Sequence, residues 1–244
     1  SGTGAVQLTD STDTILAAST LGGSLAVVSS GAITQTGVLS VTGTSDFTVS
    51  GTNAMTLTQA NAFTGAVTLS SGTGAVQITD SGTLTLATST LGGDLTASAD
   101  TIDLGSAITL TSGGNMTLGG TTGGITATGA ATLKAAGNLD INNNITTLGR
   151  LTLTADSDAS GAGDLTFASG ITITTNNNDL ELQGANVSTS TFTADAGSGA
   201  ATFSFTQGIT IDGDPLTNLT AGSLTINVIG DLIVDGVTAT ELTN

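Results

Sequence analysis

Residues 1–10 read SGTGAVQLTD and residues 71–80 read SGTGAVQITD, the same stretch twice with a single Leu-to-Ile change. The likeness continues. TLGGSL at 20–25 returns as TLGGDL at 90–95, and VLSVTGTSDFTVSG at 38–51 returns as AITLTSGGNMTLGG at 107–120. A chain that repeats itself this closely builds two segments to one plan and stacks them. The reading is one continuous solenoid over residues 1–244, with the duplication covering 1–70 and 71–140.

Within that unit runs a shorter beat. Pieces such as AVQL, SLAVVS, AITQ, VLSV, DFTVS and AMTLT recur every seven to ten residues, separated by Gly, Asn, Asp and Ser. Alternation of period two sends Leu, Ile, Val and Phe to one face and Thr, Ser and Gln to the other. Thr occurs 51 times and the strong helix formers are scarce, so the chain reads as all-β. A hairpin sandwich would carry varied loops and core Trp or Tyr. Here Trp, Tyr and Cys are absent, Pro occurs once and the turns are short. The expectation is therefore a parallel β-helix with coils of about 20–25 residues. Three such coils would fill each copy of the duplication, each match beginning the same coil of its block. Ten or eleven coils make a rod about 50 Å long.

The inward set is expected to include Leu8, Ile78, Leu39, Ile108, Val41 and Leu110, with Phe47, Phe63, Phe167, Phe192, Phe203 and Phe205 as larger fillers. The Asn runs at 142–144 and 176–178 read as turn ladders.

The stretch STLGGSLAVVSSGAITQTGVLSVTGTSDFTVSG, followed by AMTLTQANAFTGAVTLS, resembles the repeat region of filamentous-haemagglutinin-like exoproteins. These are large bacterial adhesins exported by two-partner secretion. The resemblance implies a right-handed parallel β-helix, export to the cell surface, and a role as adhesin stalk, fibre, sheath or surface layer. The Asn-Pro-Asn motifs of that family's secretion domain do not occur in this chain, so the resemblance is to stalk. It carries over no individual functional residue.

Charge narrows the partners. Lys and Arg total 2 against 19 Asp and Glu, a net charge of −17. Such a surface repels phosphate backbones and anionic membranes, so neither nucleic-acid binding nor membrane insertion is expected. The sequence holds no apolar run long enough for a membrane-spanning helix and no aromatic girdle. The expected partners are a receptor on a host or cell surface, or further coils, by end-to-end self-association or in a longer chain. The pattern runs to both ends without a capping element, and open β-edges invite pairing.

Chemistry has little to work with. Without His or Cys the triads and His-based acid–base systems are gone, so no enzyme, cofactor or metal residue is assigned. Lys134 and Arg150 are the only cationic side chains, and less than one coil separates them in sequence. Asp156, Asp158 and Asp164, and separately Asp212 and Asp214, lie in Gly-rich turns that match no calcium-loop spacing and read as solvated acidic turns. Thr-x-Thr pairs at Thr56/Thr58, Thr109/Thr111, Thr152/Thr154 and Thr172/Thr174 raise a second reading, a carbohydrate- or ice-binding face. The intervals between successive pairs are unequal and fit no fixed coil length, so that reading ranks second.

Overall fold

Side chains of alternating character leave a strand only one apolar face, and such a strand is stable when many of them wrap one core. The computed structural model describes residues 2–189, 191–211, 216–229 and 231–234, and the chain does this with 27 strands in continuous parallel pairing and no helix among the described residues. It is a parallel β-solenoid of three faces. Val6–Asp10, Leu25–Ser29, Ser45–Val49 and Val67–Ser71 open the first face. Thr14–Leu16, Ile33–Gln35, the start of Met55–Phe63 and Val76–Asp80 open the second. Ser19–Leu21, Leu39–Val41 and the end of Met55–Phe63 open the third.

Rungs on the first face follow one another at nearly even intervals along the chain, with one longer step from Leu151 to Leu180. The extra residues form one outward turn between Leu151–Thr154 and Asp164–Phe167.

These pairings correct the expected relation between the two copies. Val6 lies on the first face, but Val76 pairs with Met55 and Leu95 on the second. Leu25 on the first face likewise corresponds to Leu95 on the second, and Leu39 on the third corresponds to Ile108 on the first. From Val6 to Val76 the chain makes three full coils and one further face, which is ten strand steps. The duplication is thus three and a third coils, and the second copy is turned by one face. This is possible because the single strand with its turn is the true building unit, and all three faces offer it the same environment.

The core is a continuous stack. Ile78, Leu39, Val41 and Leu110 are at most 1% exposed and Ile108 is 8% exposed, as expected, while Leu8 is 40% exposed. Leu8 shares a register column with the buried Val27 and so points the same way. It is exposed because it stands on the first described rung, covered on one side only. All six Phe are buried. Phe47 on the first face and Phe63 on the third meet edge to face inside one coil, ring centres 5.8 Å apart at 71°.

Corners hold where backbone stacks on backbone. A Cβ on Gly23 would stand 2.3 Å from the Gly4 carbonyl oxygen, and one on Gly65 would stand 2.4 Å from that of Gly43. Only a residue without a side chain allows that approach. A polar ladder fixes the corner between the first and second faces. The Asn115 N–H donates to Asp94 Oδ1 at 2.7 Å, the Asn138 N–H to Asn115 Oδ1 at 2.9 Å, and the Asp164 N–H to Asn138 Oδ1 at 3.0 Å. The expected Asn runs are also turns, but at two different corners. Asn144 Oδ1 accepts the Thr172 N–H at 2.8 Å, whereas Asn177 Oδ1 accepts the Ser198 N–H at 3.0 Å. Asn176 and Asn177 take φ of 50° and 67°, a conformation Asn tolerates better than most residues.

Candidate functional site

Four groups of residues on this scaffold could carry chemistry, and three of them were visible in the sequence. The acidic turn is the outward excursion itself. Asp156 Oδ1 accepts from Ser160 Oγ at 3.0 Å and from the Gly161 N–H at 2.9 Å, and Asp158 Oδ1 accepts from the Ser160 N–H at 3.2 Å. Gln207 Nε2 donates to the Gly161 carbonyl at 2.9 Å and ties the turn to a later coil. These carboxylates hold their own loop. Asp164 belongs to the corner ladder, where burial raises its carboxyl above the ordinary value. Asp212 and Asp214 lie outside the described residues.

Lys134 and Arg150 both lie at the first face without stacking on each other. Lys134 stands between Thr111 and Thr154, while Arg150 forms an ion pair with Glu181. Glu181 also accepts from Gln183 Nε2 and, at 3.4 Å, from Thr152 Oγ1.

The Thr-x-Thr pairs are divided among the faces. Thr109/Thr111 and Thr152/Thr154 share the first face, Thr56/Thr58 begins on the second, and Thr172/Thr174 lies on the third. Even on the first face Lys134 interrupts the array, and Thr154 is only 8% exposed.

The fourth group lies inside the rod, at the corner between the second and third faces. Asn61 is fully buried, and its Oδ1 accepts from Gln35 Nε2 at 2.8 Å and from the Leu39 N–H at 2.9 Å. Its two Nδ2 hydrogens are shared among three acceptors, Gln35 Oε1 at 3.0 Å, the Leu57 carbonyl at 3.1 Å and the Thr79 carbonyl at 3.0 Å. One coil on, Asp80 is 4% exposed and accepts the Phe63 and Gly82 N–H groups, each at 2.7 Å. Desolvation raises the Asp80 carboxyl above its ordinary value, outweighing these bonds. Asp10, its counterpart in the first copy, is shifted down by the Thr12 N–H and hydroxyl bonds on the open first rung. Sequence parity carried the signal for this group. Gln35, Asn61 and Asp80 occupy inward slots in ITQ, MTLTQANAF and VQITD.

No cluster of three or more metal-ligating side chains occurs among the described residues. A family model described as repeats of unknown function (DUF5649) matches residues 3–70. That span is the first copy of the duplication. No curated protein matches the chain. No solved structure matches it. No helix among the described residues is long and apolar enough to cross a membrane.

Proposed function

We propose that this chain is a load-bearing segment of an extracellular bacterial rod, a stalk or fibre of the filamentous-haemagglutinin-like kind. The one-face advance of the duplication supports this most directly. A module that binds through one face needs its copies on that face. Here residues with the same neighbours in sequence are turned to the next face, and only the wrapped core is preserved. A strand unit that serves equally on any face suits a part whose task is length and stiffness. The repeat-family match and the use of the acidic turn for its own backbone fit the same reading.

In this reading the rod is continued at its ends by further coils, of the same chain or of another copy, and the charge of −17 keeps neighbouring rods apart. An antibody raised against residues 1–244 should label intact cells that make the protein, and external protease should remove the label. Labelling only after permeabilisation would overturn the proposal. A receptor captured through one face, and lost on substitutions confined to that face, would favour the binding module instead.

A further inference from the structure

Among the described residues the third face is held from coil to coil by runs of paired residues, with one exception. Ser40 and Val41 pair with Ala62 and Phe63, and Thr83–Thr85 pairs with Thr101–Asp103. Between Met55–Phe63 and Thr83–Thr85 the register holds one pair on this face, Asn61 with Asp80, beyond a shift that begins after Ile78. The Asp80 carboxylate fills the break. It takes the Phe63 N–H on one oxygen and the Gly82 N–H on the other. Ser81 adds two bonds to the Asn61 carbonyl, from its N–H and its hydroxyl, both at 2.8 Å. A depression of about 300 Å³ opens here, bounded by Phe63, Thr64, Asp80, Gly82 and Thr85.

We propose that this joint between the third and fourth coils is a pH-responsive point in the rod, opening locally when Asp80 is ionised and tightening when acid protonates it. A carboxylate withdrawn from water favours any motion that lets water return. Its ionisable neighbour is Asp100, on Leu95–Asp103 one coil on, a second negative charge that adds to the strain. Asp103 on that strand is turned to the Gly105 N–H. Met55–Phe63, Thr83–Thr85 and Met116–Ala127 carry no ionisable side chain, so no cation relieves the pair.

The sign follows from burial, which raises the carboxyl above its usual 3.8, with Asp100 pushing the same way against the two N–H bonds. A raised acid contributes a penalty that is absent below 3.8 and complete above its value in the closed joint. Closure therefore weakens as pH rises through that interval.

The test is amide hydrogen exchange at Phe63 and Gly82, corrected for intrinsic rates, between about pH 7 and about pH 4. The opening constant at both amides should fall several-fold on acidification, while Leu133 in the regular core stays level. Asp80→Asn should abolish the difference. Independently, carbon NMR of the Asp80 carboxyl in the unaltered chain should show titration above the ordinary aspartate range, which decides the matter even if the variant does not fold. Opening that is flat or rises with acid, or a carboxyl titrating at or below the ordinary range, overturns the proposal.

Discussion

Replacing Asn61 with Ala removes a side chain that joins three consecutive coils. Its amide meets five hydrogen-bonding atoms at 2.8–3.1 Å on Gln35, Leu39, Leu57 and Thr79, one amide hydrogen being shared between two acceptors, from a position with no solvent exposure. Ala leaves the Leu39 N–H, the Thr79 carbonyl and the Gln35 amide without that partner. A buried polar group left unsatisfied costs about 1–3 kcal/mol, and water entering the vacated space recovers some of this, so Asn61→Ala should cost about 3–5 kcal/mol. Urea unfolding followed by circular dichroism measures the loss. Gln35→Ala should cost less on the unaltered background and little more once Asn61 is gone, because both residues belong to one network. A loss under about 1 kcal/mol, or strict additivity with Gln35→Ala, would refute the view that this column holds the corner.

Ile78→Ala should cost about 2–5 kcal/mol, whereas Leu8→Ala, at the equivalent place on the first rung, should cost well under half as much; thermal melts of the two variants compare them directly. Ser45 is fully buried and its hydroxyl has no partner, so Ser45→Ala should raise stability by about 1 kcal/mol in the same melts. Melting curves in EDTA and in excess calcium should coincide, since Asp156 and Asp158 already serve their own turn. A large upward shift with calcium would overturn this and bring Asp156, Asp158, Asp212 and Asp214 forward as ligands.

Much of the fold was legible because a two-residue period fixes which side chains face inward whatever the coil length. Leu39, Val41 and Leu110 follow from parity alone, and so do the six Phe. Coil phase was not legible. The span 1–70 divides into three whole coils or into ten strand units, and local sequence is satisfied by either. Turn lengths decide between them, through bulges such as the shift after Ile78 that no local pattern announces. Asn61 and Asp80 hold inward positions by the same parity, but their bonding was not legible, because Gln35 and Phe63 reach them from a preceding coil.

Cysteine cross-linking tests the central claim, that the second copy is turned by one face, on a chain with no Cys of its own. Thr56 and Gln77 are register partners on neighbouring rungs of the second face, close enough for a disulfide between outward side chains. In-phase copies of three whole coils need a coil of about 23 residues, which would place Thr79 rather than Gln77 over Thr56. The turned copy predicts rapid oxidation of the Thr56→Cys/Gln77→Cys pair and none of Thr56→Cys/Thr79→Cys. Closure of the second pair in preference to the first would contradict it.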